Sequence, residues 1–71
     1  MIMPDSVLIV LGMQAQSNAT YTDAVYDTEK YVTDKTDALW QEAEAAVHDG
    51  NYPAVVANLR KIWEEIYNVG I

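Results

Sequence analysis

From Thr20 to His48 the chain contains neither proline nor glycine, and its apolar positions recur at the period of an α-helix. Stepped at about 100° per residue, Tyr21, Val25, Thr28, Val32, Thr36, Leu39, Trp40, Ala43, Ala46 and Val47 fall in one stripe, which Glu29 interrupts. Asp23, Asp27, Lys30, Asp34, Asp37 and Gln41 lie on the opposite side, with Glu44 near its edge. The pattern predicts one long, two-faced central helix that stops at Gly50. Such a helix would be roughly 40 Å long, longer than a globule of this size is wide, so the overhang predicts a second copy or a partner lying along it. Its first half is weak in helix propensity, because Thr20, Thr22, Thr28, Thr33 and Thr36 are β-branched and Tyr21, Tyr26 and Tyr31 add little. The alternative is a break between Thr33 and Asp37, with Thr36 or Asp37 as the N-cap of a separate helix from Ala38.

The flanking segments are shorter. Val7 to Leu11 is an apolar run preceded by Pro4, Asp5 and Ser6, which predicts a short buried helix from Pro4 to about Gln16. Val7, Ile9 and Val10 also suit a strand, but a lone strand in so small a chain would need a partner from another copy. After the central helix, Asp49-Gly50-Asn51 is a turn signal. Pro53 suits the first residue of a helix running to about Val69 and stopped by Gly70. Tyr52, Val55, Val56, Leu59, Ile62, Trp63, Ile66 and Val69 form its stripe, and Arg60 with Glu64 and Lys61 with Glu65 are pairs one turn apart on the exposed side. The expected fold class is therefore all-α: one small domain over residues 1–71, with three helices, an antiparallel helical hairpin at its C-terminal end, and a dimeric state. Val25, Val32, Leu39, Trp40, Val47, Leu59, Ile62, Trp63 and Ile66 are the expected core or dimer seam.

Within that hairpin, Ala38-Leu39-Trp40, then Ala43, Ala45 and Ala46, then Gly50-Asn51-Tyr52, then Val55-Val56 resemble the pattern of a tetratricopeptide repeat. The likeness covers one repeat length, Ala38 to Ile71. It implies that small residues let two antiparallel helices approach closely and that Tyr52 packs across the pair. The peptide-holding groove of that family needs three or more stacked repeats, and residues 1–37 show no second copy, so that function does not carry over.

Composition then removes whole classes of function. Seventy-one residues carry four basic and eleven acidic side chains, for a net charge of −7. A chain this short hides only about 60 % of the surface it exposes when unfolded, so its core is marginal. The absence of cysteine excludes disulfides, thiolate zinc sites and thiol nucleophiles, and a single histidine, His48, excludes imidazole clusters. The acidic balance argues against direct contact with nucleic acid or anionic lipid. The N-terminal apolar run is about half the length of a membrane span, and Asp5 is the only charge ahead of it, unlike a secretory signal. Asn18-Ala19-Thr20 does match a glycosylation acceptor, but a cytoplasmic location fits the rest better.

No catalytic constellation stands out, so the expectation is a protein that is not an enzyme and takes no cofactor or metal. His48 suits the last turn of a helix, where its charge would meet the helix C-terminus. Carboxylate pairs such as Asp23 with Asp27 lack the loop that makes a cation site specific, and Gly12, Gly50 and Gly70 are isolated, unlike a phosphate-binding loop.

Two features remain. Trp40, Trp63, Tyr26, Tyr31 and Tyr67 look like more aromatic surface than a three-helix core encloses, which points to interface use. Eight acidic residues and two lysines lie between Asp23 and Asp49, and in a continuous helix their carboxylates would step about 6 to 10 Å along the axis, near the phosphate step of a nucleic acid strand. The expected function is a non-enzymatic interaction module, an accessory inhibitor or adaptor of the kind carried by phages and mobile elements. Asp23, Asp27, Asp34, Asp37 and Glu44 would meet a basic surface on a partner protein. The alternatives are a DNA mimic that occupies the channel of a restriction-type or CRISPR-type complex, and a self-assembling virion component.

Overall fold

The computed structural model describes residues 3–68. Four helices follow one another: α1 (Asp5–Leu11), α2 (Asn18–Glu29), α3 (Asp37–Asp49) and α4 (Tyr52–Asn68). The described residues contain no strand, so the all-α class holds and the N-terminal run is helical. The count of three helices does not hold, because the central rod is two helices, α2 and α3, separated by residues 30–36.

Folding back is favoured over a straight rod because it covers the whole stripe. A rod longer than its partners would leave half of that stripe in water. With the bend, Val25 of α2 and Trp40, Ala43 and Val47 of α3 share one core with Val55, Leu59, Ile62 and Trp63 of α4. Val7 and Val10 of α1 close it. The bend costs little, since Val32, Thr33, Asp34 and Thr36 are poor helix formers. Two threonines hold it: the Thr33 N–H donates to Thr36 Oγ1 at 2.9 Å, and the Thr36 N–H donates to the Thr33 carbonyl at 3.0 Å. Thr36 precedes α3, as the alternative reading placed it, but its buried hydroxyl turns back into the connection and makes no cap bond to α3. The molecule measures 34 × 22 × 17 Å, so the overhang that predicted a second copy along the rod is gone.

The helix ends show how local sequence sets the chain path. At the end of α3, Gly50 adopts φ 73° while the Asn51 N–H donates to the Ala46 carbonyl at 2.9 Å and the Gly50 N–H to that of Val47 at 3.3 Å. This is the left-handed stop that glycine favours. The end of α1 uses the same arrangement, with Gln14 donating to Ile9 and Met13 to Val10, but here a methionine takes the left-handed position at φ 60°. Gly12 comes one residue too early to take it. α1 thus ends at Leu11, short of the expected Gln16, and Pro4 sits just before it as the N-cap.

α4 starts at Tyr52, one residue before Pro53, and the Asn51 side-chain oxygen accepts the Ala54 N–H at 3.4 Å as an N-cap. The expected stop at Val69 and Gly70, and the end of the repeat-like span at Ile71, lie outside the described residues. α3 and α4, joined through Gly50 and Asn51, make the most extensive helix pairing, followed by α1 with α2. Tyr52 stacks on Tyr21 of α2, with ring centroids 4.2 Å apart.

Candidate functional site

The carboxylates singled out by the pattern come from three different segments. Asp23 and Asp27 stand on α2, Asp34 on the connection, Asp37 at the first position of α3, and Glu44 in its middle. The even step along one axis is therefore absent. Asp23, Asp34 and Asp37 are exposed. Asp27 and Glu44 are half-buried and have partners within the fold: Ser6 Oγ donates to Asp27 at 2.6 Å, pinning α1 to α2, and the Tyr26 hydroxyl donates to Glu44 at 2.9 Å, linking α2 to α3. Asp37 accepts a bond from the Gln41 side chain at 2.9 Å. The bond to Glu44 holds the Tyr26 phenol above its ordinary pKa of 10.0, helped by partial burial and by the charges of Glu44 and Glu29.

Beneath this surface the two tryptophans belong to the core. The Trp40 indole N–H donates to the Val25 carbonyl at 2.8 Å, and the Trp63 N–H donates to Thr28 Oγ1 at 3.0 Å. The expectation of surplus aromatics is thus corrected for Trp40 and Trp63, whereas Tyr26 and Tyr67 remain exposed and Tyr31 is half-buried. Tyr26 meets Trp40 edge-on at 6.0 Å, and Tyr31 and Tyr67 flank Trp63 at 5.3 and 6.1 Å, so the tyrosines shield the indoles. Of the residues expected in a core or dimer seam, Val25, Trp40, Val47, Leu59, Ile62 and Trp63 are buried within the single chain. Val32, Leu39 and Ile66 are partly buried against that core.

The structure also exposes apolar groups that the sequence pattern assigned to the interior. Leu8 is 54 % exposed and Met13 77 %, and Ile9 is also open to water. A helix of seven residues buries one narrow face, here Val7 and Val10, and Leu8 and Ile9 turn away from it. A groove of about 420 Å³ opens beside Met13, between Tyr21, Tyr52 and the Val56, Ala57 and Arg60 side chains of α4. A second, of about 280 Å³, shares Arg60 and is lined by Met3, Leu11, Trp63 and Glu64.

His48 is exposed in the last turn of α3. Among the described residues no three histidine, cysteine or acidic side chains are grouped so as to hold a metal ion, and no helix is long and apolar enough to cross a membrane. Comparison of the chain with protein-family models, curated proteins and solved structures finds no match.

Proposed function

We propose that this chain is a small non-enzymatic interaction module, an accessory inhibitor or adaptor that presents exposed acids of α2, the connection and α3 to a basic surface on a partner protein. The observation that carries the reading is the division of labour among the carboxylates. Asp27 and Glu44 are engaged in joining helices, whereas Asp23 and Asp34 stand exposed and Asp37 bonds only its neighbour one turn on. The net charge of −7 resides wholly in the segment before α4. A charged surface of this kind speeds encounter and selects partners by sign more than it adds affinity.

The test is capture from the native host extract with the mass of each bound protein read out, repeated with Asp23, Asp34 and Asp37 changed together to asparagine. The expected result is a partner retained by the native chain and lost by the variant, with an unchanged melting temperature. Retention of the same partner by the variant would overturn the reading. Displacement of the partner by DNA, together with a steep loss of binding as salt rises, would favour nucleic acid mimicry instead.

A further inference from the structure

The two grooves meet at Arg60 and follow one face of α4 from Pro53 to Asn68, a run of about 22 Å at the α-helical rise. Leu11 forms part of the far wall. Leu8 lies about 60° further round α1, on the side away from Ser6 and α2, and so adds an exposed apolar lip to the same side. Met13 closes one end.

The charge along this face differs from that of the rest of the molecule. Arg60 and Lys61 are balanced by Glu64 and Glu65, while nine acidic residues and two lysines precede α4. Among the described helices α4 alone carries no net negative charge, and it is the one along which a second acidic copy meets no like-charged helix.

We propose that this groove is a homodimer seam, in which α4 of a second copy lies antiparallel to α4 about a two-fold axis that crosses the groove face midway between Arg60 and Glu64. Residues 60 and 64 are equidistant from that axis, so each Arg60 faces Glu64 of the second copy. Because the two are also one turn apart on their own helix, the four side chains form a closed ring of alternating charge. Val56 and the α1 lip supply apolar area around it, and Ala57 leaves room for close approach. A two-fold seam closes on itself, so the assembly stops at two. The residues involved are separate from the exposed acids of the proposed partner surface, so the two readings stand or fall independently.

Charge swaps test this directly. Sedimentation across a concentration series should give a dimer of fixed mass for the native chain, and about tenfold or greater weakening for Arg60→Glu or Glu64→Arg alone, since each swap replaces two attractive contacts with repulsive ones. The double swap should restore the dimer while keeping the net charge at −7. Mixing the two single variants should yield a heterodimer, because each supplies the charge the other lacks. Both side chains are largely solvent-facing, and far-UV circular dichroism checks that the helices persist. A native chain that stays monomeric throughout the series, a dimer indifferent to the swaps, or a mass that keeps rising with concentration would each overturn the proposal.

Discussion

Thr28 makes the most instructive single contact in the core. Its hydroxyl accepts the Trp63 indole N–H at 3.0 Å and donates to the Ala24 carbonyl one turn back at 2.7 Å, and no water reaches it. Thr28→Val preserves the shape, so no cavity opens, and the Ala24 carbonyl keeps its helical bond. The loss falls on the Trp63 N–H, which is left buried without an acceptor at a cost of about 1–3 kcal/mol. The added methyl offsets part of that, leaving a net destabilisation of about 1–2 kcal/mol. In a domain of this size that lowers the melting temperature by about 10 °C. The assay is urea and thermal unfolding followed by far-UV circular dichroism, with Thr28→Ser as the control that retains the hydroxyl and loses only a methyl, about 1 kcal/mol. In a Trp63→Phe background there is no N–H to satisfy, so Thr28→Val should cost about 1–2 kcal/mol less there. Equal cost in both backgrounds, or a variant as stable as the native chain, would refute the account.

Trp40→Ala removes a buried ring and its bond to the Val25 carbonyl, and should destabilise the fold by about 3–5 kcal/mol in the same assay; a native melting temperature would place the ring outside the core. Met13→Gly should stabilise by about 0.5–1 kcal/mol, because it relieves a left-handed backbone at an exposed side chain, whereas Gly50→Ala should cost about 1 kcal/mol through backbone alone, since open space surrounds the added carbon. Phenolate absorbance should show Tyr26 titrating above its ordinary 10.0 and Glu44→Gln lowering it. Because the folded state favours the protonated phenol, that contribution to stability is complete below pH 10.0 and is lost as pH rises through the raised folded value.

Much of the core could be read from periodicity. Every residue of the central stripe is buried or half-buried, and α4 buries Val55, Leu59, Ile62 and Trp63 as its pattern requires. The bend was less legible because it preserves that pattern: residues 30–36 can continue the helical spacing on paper, while the competing Thr33–Thr36 bonds depend on where the rest of the chain can pack. The threonine-rich composition did mark the weak point. The stop at Met13 was hidden for a different reason, since Gly12 offers the expected residue one position early. Leu8 and Ile9 were misassigned because an unbroken apolar run carries no phase, so the buried face of α1 follows only from its contacts. The division among the carboxylates was beyond the pattern as well, for Ser6 and Tyr26 reach Asp27 and Glu44 across the fold.

The two tryptophans connect this core to the proposed surface. α2 is the helix least supported by its own sequence, yet it carries Asp23 and Asp27. One indole from α3 and one from α4 both donate to it, at the Val25 carbonyl and the Thr28 hydroxyl, within a single turn of its C-terminal half. These two bonds hold the acidic face at a set distance and angle to the rest of the molecule. A loss of partner binding caused by Trp40→Ala would therefore report displacement of α2, even though Trp40 itself is buried beneath that face. Two variants separate the effects. Asp23→Asn should weaken binding at an unchanged melting temperature, while Thr28→Val should lower the melting temperature and weaken binding only as α2 loosens on warming. Equal weakening by Thr28→Val at every temperature below the transition would show that the hydroxyl fixes the surface in the folded state itself, and not merely the stability of the helix beneath it.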